Sequence, residues 1–370
     1  MRRNILLSIF LCFGMTLMAQ NAENKKWQPE LGLELITEQQ VTHEKEYNFA
    51  NLLRLDASLP INSKAAFGIA TISTFRTRNE GVGNDLQTFS NLDAENNALA
   101  LALCGINWDI NDHHTIFVGV HNMNEDYFAS PVTSLFANSS CGIFPTLSAN
   151  YDIANYPYAS MGVHYRYTSD SDGDGDSDGS AKNSSLLTLN FSLYNGQGYR
   201  NFAGRRNVFR VCPKDDGLFA LTQIDYKYKG SDYFLGICGH KTWRPLPDSP
   251  RNGREKDMAT TIWTYAEQRI TRNLSLMAAY SHAFTSSAVC TDFAGIGGKY
   301  SLGKSDLGVF SDYARYNDAS EWATEITCKA ELNSHFYIQP SAHFIVTRLT
   351  DAEPESNFHF AATLRVGLTL

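Results

Sequence analysis

The amino-acid sequence predicts an all-β protein: a transmembrane antiparallel β-barrel of about 16 strands with an inward-folded third external loop. Three observations predict this fold. Apolar and polar residues alternate along most of the chain, tight turns alternate with longer connections, and no apolar run beyond the N-terminus reaches the about 18 residues of a transmembrane helix. The formal charge of -8 on 370 residues disfavours nucleic acid as a partner.

The N-terminus has the pattern of a cleaved signal peptide. Arg2 and Arg3 precede an apolar run that extends to Met18, and the small residue Ala19 follows. We therefore expect the protein to be exported to the outer membrane of a Gram-negative bacterium. The expected division of the chain is a signal peptide at residues 1–19 and a single outer-membrane β-barrel domain at residues 20–370.

The stretch HFYIQPSAHFIVT, residues 335–347, shows the alternation most clearly. In a soluble sheet its apolar face would be a core, whereas in an outer-membrane barrel that face contacts lipid and the polar face lines water. A neighbouring stretch, residues 322–332, places Glu325, Lys329 and Glu331 together on its polar face. Long charged side chains do not share a dry core, so the pattern favours the barrel.

The same alternation locates each strand in turn. The predicted strands are residues 30–38, 49–59, 65–76, 96–108, 115–123, 157–168, 185–194, 218–229, 232–243, 258–270, 274–285, 293–301, 306–316, 321–332, 335–346 and 358–370. Their even number is typical of bacterial single-chain barrels.

One connection on the predicted periplasmic side is long and acidic, residues 169–185. Its Asp170, Asp172 and Asp174 resemble the start of a calcium loop. However, Ala181 occupies the position where such a loop needs an acidic ligand. A solvated acidic turn and a weak calcium site both remain open, and no cofactor is expected.

The longest connection follows the fifth strand and is rich in apolar residues. A connection of this length is usually functional, and its apolar side chains must pack against the barrel. It can fold into the lumen and narrow it, or cap the rim. We expect the inward fold for residues 124–157, with three phenylalanines as anchors: Phe128, Phe136 and Phe144.

Strand parity and this loop together predict the residues of a substrate pathway. They are Arg54, Asp56, Arg76, Asn124, Glu125, Asp126, Trp263, Glu267, Glu325 and Arg365, and the same parity places Asp225, Lys227 and Lys329 inside. The loop carboxylates are expected opposite lumen arginines such as Arg54 and Arg76. A wall of mixed charge suits neutral polyols better than a wall of one sign. Many of these groups can equally be solvated wall residues without a role in selectivity.

Five sequence blocks, in order, resemble landmarks of the carbohydrate-selective porin family (OprB-like). They are VGVHNMNEDYFASPVTSLFANSSCG, YPYASMGVHYRY, NFSLYNGQGYRNF, HFYIQPSAHFIVTR and LRVGLTL, and the resemblance spans roughly residues 51–370. It implies passive, substrate-selective diffusion of mono- and small oligosaccharides. It also implies small carbohydrates and outer-membrane lipid as partners, and either a monomer or a homotrimer.

Two other functions remain open. The first is a general or anion-selective porin without sugar preference. The second is a barrel hydrolase using His282 and Ser286, although the sequence contains no G-x-S-x-G motif. We expect the protein not to be an enzyme.

Overall fold

The computed structural model describes residues 28–78, 82–83, 85–170, 185–245, 254–285, 288–350 and 356–370. Within these residues, 16 antiparallel strands form one closed barrel. Each strand pairs with its neighbours in the chain, and β1 pairs with β16 from Glu34↔Thr369 to Thr42↔Ala361. The predicted antiparallel barrel of about 16 strands is therefore confirmed.

The strand bounds agree closely with the periodicity of the sequence. They are β1 (Glu30–Thr42), β2 (Tyr47–Asn62), β3 (Ala65–Arg76), β4 (Asn97–Asp109), β5 (His114–His121), β6 (Ser160–Thr168), β7 (Ser185–Asn195), β8 (Leu218–Tyr228), β9 (Ser231–Pro245), β10 (Arg254–Arg269), β11 (Leu274–Ala283), β12 (Cys290–Leu302), β13 (Ser305–Tyr316), β14 (Ala319–Glu331), β15 (Phe336–Leu349) and β16 (Ser356–Thr369).

One difference concerns the start of β6, which the sequence predicts at residue 157. Pro157 has no N–H to donate, and the Tyr158 N–H donates to the Asn155 carbonyl in a turn. Ala159 makes an isolated bridge to Tyr199 instead of joining the ladder. Regular pairing therefore begins at Ser160.

The two faces of the wall have opposite character. Along β15, Phe336 and Phe344 on the outward face are exposed, whereas Gln339 and His343 on the inward face are buried. Large apolar side chains are exposed in the same way on the outward face of the other strands. This arrangement is the inverse of a soluble protein and matches a wall that contacts lipid outside and polar groups inside.

The connections divide between the two edges of the barrel as predicted. One edge carries tight turns such as residues 63–64, 229–230 and 303–304, and the other carries the long connections 77–96, 122–159 and 196–217. The described residues include one four-residue helix, α1 (Pro145–Ser148), and three 3₁₀ turns. No helix among these residues is long and apolar enough to span a membrane.

Several predictions concern residues that the structure does not describe. The proposed signal peptide, most of the acidic turn with Asp172 and Asp174, and Ser286 lie outside the described residues. Asp170 is described and exposed, with its Oδ1 at 3.6 Å from Nε2 of His113.

The polarity of the two faces can be tested with a pair of arginine substitutions. Ile296 lies near the middle of β12 with its side chain outside the barrel, whereas Ser58 is on the inward face of β2 beside Asp56. We expect Ile296→Arg to destabilise the protein folded in lipid vesicles by about 2–4 kcal/mol, the cost of an arginine at the bilayer midplane. Ser58→Arg should cost much less. Equal losses in urea titrations of the vesicle-bound protein would contradict the assignment.

Candidate functional site

The connection between β5 and β6, residues 122–159, is called L3 below. Its backbone is held by carboxylates on the inward face of the wall. Glu267 accepts the N–H of Val132 at 3.1 Å, and Glu325 accepts the N–H groups of Ala137 and Asn138 at 3.0 and 2.8 Å. These donors are buried, and a buried N–H without a partner is costly. The wall acids thereby stabilise one conformation of L3.

Aromatic contacts hold L3 at three further points. The ring centroids of Phe128 and Trp263 are 5.0 Å apart, those of Phe136 and Phe310 are 5.4 Å apart, and those of Phe144 and Phe293 are 5.1 Å apart. All six rings are buried. The three phenylalanines that the sequence analysis singled out therefore contact inward-facing side chains of β10, β12 and β13.

Two glycines on the inward face make room for these contacts. A Cβ atom at Gly308 would lie 2.7 Å from Leu135 and 2.9 Å from Phe136 of L3. A Cβ atom at Gly236 would lie 2.2 Å from the ring of Trp263. The sequence analysis missed both positions, because a glycine in a strand does not reveal what approaches it.

Near its start, L3 contacts the opposite part of the wall. The Glu125 carboxylate pairs with Arg54 of β2, with Oε1 2.5 Å from Nη1 and Oε2 3.1 Å from Nη2. The same guanidinium bonds Asp56 through Nε and Nη2. Arg54 therefore lies between two carboxylates. The side chains of Arg54 and Glu125 are 23% and 26% exposed, so this pair borders open space.

The neighbouring Asp126 has a different environment. It is buried and pairs with Arg166, and its Oδ2 lies 3.1 Å from Nε2 of His121. Burial raises the pKa of Asp126, although His121 and Arg166 act to lower it. Asp126 thus anchors L3 to β5 and β6.

A second connection, residues 77–96, is called L2 below and also contacts the inward face. Glu321 accepts the N–H groups of Leu86 and Gln87 at 2.7 and 2.9 Å. Burial and the nearby Glu321 carboxylate raise the pKa of Asp85 to about 7. Sequence reasoning missed this role of L2; the available signal was a set of apolar residues that are buried in the structure: Val82, Phe89 and Leu92.

L2 is also joined to L3 and to the ends of the chain. The Asn91 N–H donates to the Ala137 carbonyl at 2.7 Å. The Asn91 side chain accepts from Arg365 of β16, and Arg365 pairs with Glu38 of β1 at 2.7 Å. The Ser90 hydroxyl donates to the same Glu38 carboxylate. L2, L3 and the closing strands β1 and β16 therefore form one hydrogen-bonded network.

A cavity of about 660 Å³ lies beside L2 and L3, against β1 to β3 and β14 to β16. Its lining reaches from Asn155 and Tyr156 near one edge of the barrel to the turn at Asn333 and Ser334 on the other edge. The polar and charged residues that border it include Glu34, Arg54, Asn91, Asn124, Ser139, Lys329, Glu331, Tyr337 and Arg365.

The structure separates the predicted pathway residues into three groups. Those that line the cavity are Arg54, Asn124 and Arg365, and those that contact Arg54 are Asp56 and Glu125. Those that are buried on the inward face of the wall are Trp263, Glu267 and Glu325, and the side chain of Asp126 in L3 is only 9% exposed. Arg76 was expected opposite the L3 carboxylates, but it pairs with Asp93 of L2 at 2.5 Å. Asp93 belongs to the connection that immediately follows the strand of Arg76.

One group of possible metal ligands occurs among the described residues: His43, Glu44 and His359 at the barrel rim. Nδ1 of His43 accepts the Phe360 N–H at 3.2 Å, which occupies one of its two ring nitrogens. His282, considered above for hydrolysis, bonds Asp292 at 2.8 Å.

Comparison with known proteins finds similar solved structures. No protein-family model and no curated protein matches the chain. The high-pH structure of Pseudomonas putida OprB is similar with a TM-score of 0.70 and 15% identity, over 92% of this chain and 94% of that one. OmpT of Vibrio cholerae follows with a TM-score of 0.58 and 11% identity, over 94% and 99%. A multiply substituted Rh. blastica porin has a TM-score of 0.56 and 10% identity, over 92% and 100%.

At these identities the similarity shows the fold: a 16-stranded barrel of the porin type. The expected resemblance to OprB is confirmed at that level. The Vibrio cholerae OmpT structure is described as that of the outer-membrane expressed protein.

The packing of L3 against the wall can be tested at Gly308. We expect Gly308→Val to push Leu135 and Phe136 away from β13 at a cost of about 1–3 kcal/mol, and to lower single-channel conductance in planar bilayers, because L3 would move towards the cavity. The control is Gly239→Val, because nothing lies within 4 Å of a Cβ atom at Gly239. Parental conductance and stability in Gly308→Val would contradict the packing described here.

Proposed function

We propose that the protein is an outer-membrane porin for passive, substrate-selective diffusion of mono- and small oligosaccharides. The observation that carries the proposal is the cavity beside L3, whose arginines are already paired with carboxylates. Arg54 is held by Asp56 and Glu125, and Arg365 is held by Glu38. Paired charges produce a weak net field, so a neutral solute can pass without competing against strongly held ions.

The remaining lining supplies the groups that bind hydroxyl-rich solutes. Asn91 and Asn124 offer amides, Ser139 offers a hydroxyl, and Tyr156 and Tyr337 offer aromatic rings. Sugars bind to fixed hydrogen-bonding groups and to flat apolar faces. Binding in a pore must stay weak enough for release, and a cavity with scattered polar groups meets that need.

L3 is proposed to be the third external loop and to form the constriction inside the barrel. Its contacts with Glu267 and Glu325 on one part of the wall and with Arg54 on another support this role. In this arrangement the buried acids and aromatic rings hold the loop, whereas Glu125 and Asn124 border the pathway.

The resemblance to carbohydrate-selective porins and the similarity to the OprB structure favour sugars as substrates. A general or anion-selective porin is the alternative, favoured by three cations on the lining: Arg54, Lys329 and Arg365. One similar structure is described as the trimer form of Vibrio cholerae OmpT. A homotrimer is accordingly one proposed state of this chain, and a monomer is the other.

Liposome swelling tests the function directly. Proteoliposomes should swell faster in monosaccharides and disaccharides than in size-matched zwitterionic amino acids, because the lining offers fixed partners for hydroxyl groups. Heat-denatured protein serves as the control. Equal rates would remove sugar selectivity and leave a general pore, and a reversal potential that favours anions would identify the alternative. Absence of swelling would overturn the pore itself.

The role of L3 is tested by replacing Glu125 and Asp126 together by Ala. Loss of the Glu125 contact with Arg54 and of the Asp126 anchor to Arg166 should change single-channel conductance and weaken block by sugars. The melting of the barrel in detergent should stay similar, because the pairing of its strands is unchanged. Glu125→Gln alone should weaken sugar block in the same direction, because it removes the charge and keeps the size.

The matched control for these L3 variants removes two exposed carboxylates elsewhere, Glu44→Ala with Asp112→Ala. This control should behave like the parent. If the Glu125 and Asp126 variant also matches the parent in conductance and sugar block, L3 does not form the constriction.

A further inference from the structure

The connection between β7 and β8, residues 196–217, is called L4 below and packs on the outside of the barrel. Tyr199 pairs with Ala159, and the Val208 carbonyl accepts the Met161 N–H at 3.0 Å. The Val208 side chain is fully buried in a cluster with Val120, an outward residue of β5. L4 therefore covers a patch of wall that, by its position, would otherwise contact lipid.

L4 lies within the height of the apolar outer wall. Val120 is the seventh residue of β5, whereas the exposed Phe75 is the eleventh residue of β3. Both strands begin at the edge of the barrel that carries the tight turns. Exposed apolar wall thus continues beyond the level at which L4 docks, and the loop lies beside lipid in an outer-membrane barrel.

L4 exposes three large apolar side chains. Phe202, Phe209 and Val211 are 60%, 48% and 63% exposed. Large apolar side chains at this height contact either acyl chains or another protein, because their exposure to water is unfavourable.

L4 also carries exposed cations that have no ion-pair partner among the described residues. Arg200 pairs with Glu95, and Arg210 pairs with Asp215 and Asp216. Arg205 and Arg206 are exposed and make no ion pair within the described residues. Cations beside exposed aromatic residues are typical of segments that bind anionic lipid.

We propose that L4 binds the phosphorylated glycolipid of the outer leaflet. Arg205 and Arg206 bind its phosphate groups, and Phe202, Phe209 and Val211 contact its acyl chains. Guanidinium groups suit this ligand because they form paired hydrogen bonds with phosphate oxygens. The inference rests on the outer-membrane location that is part of the proposed function.

The test measures binding of fluorescent lipid A to the full-length protein purified in detergent. We expect Arg205→Ala with Arg206→Ala to weaken binding roughly 30-fold, the effect of losing two cations near an anionic headgroup. The matched control, Arg272→Ala with Lys304→Ala, removes two exposed cations from the opposite edge of the barrel and should bind like the parent. Phe202→Ser with Phe209→Ser should weaken binding of lipid A but not of inorganic phosphate.

Each other outcome overturns the inference. Equal binding by the arginine variant, the control and the parent removes the site. Complete competition by inorganic phosphate identifies a simple anion site. Unchanged lipid binding with dissociation of an oligomer, seen by gel filtration in detergent, assigns the surface to a second copy of the chain. Single-channel conductance of the same samples keeps this result separate from the proposed function, since the arginine variant should still conduct like the parent.

Discussion

In the outer-membrane location proposed for this chain, the constraint on which the structure depends is that a backbone surrounded by lipid must satisfy its own hydrogen bonds. Water is absent from the bilayer core, so a sheet can span it only when the sheet has no open edge. Pairing of β1 with β16 removes both edges in one step. The alternation of side chains follows, because a closed wall has one face for lipid and another for the interior.

Inside the barrel, buried backbone groups must also find hydrogen-bond partners. L2 and L3 have irregular backbones, and their buried N–H groups lack the regular partners of a strand. Glu321 accepts two such groups from L2, and Glu325 accepts two from L3. A carboxylate suits this task because its oxygens accept several hydrogen bonds at once, and each bond to a charged acceptor is stronger than a neutral one. These wall acids thereby stabilise one conformation of each loop over others.

Sequence reasoning predicted the wall well and the loops only in part, for a physical reason. A period of two is a local property, so all 16 strands could be located from the order of residues. The parity that placed Arg54 and Arg365 inside is equally local. The partner of a loop residue depends on contacts between distant parts of the chain, as with Glu325 and Ala137. Hence the pairing of Arg54 with Glu125 was predicted correctly. The partner of Arg76 was expected in L3, whereas it is Asp93 of L2. The contacts of L2 and L4 were missed.

These contacts also change what the charges of the barrel can do. The inward acids Glu267, Glu321 and Glu325 are covered by loops and bonded to loop backbone, so they are separated from any solute in the cavity. The cations Arg54 and Arg365 remain on the lining, each with a carboxylate of its own. A sum of formal charges, which is negative for this chain, therefore misrepresents the field along the pathway. In the proposed pore, selectivity depends instead on the few groups that the loops leave uncovered.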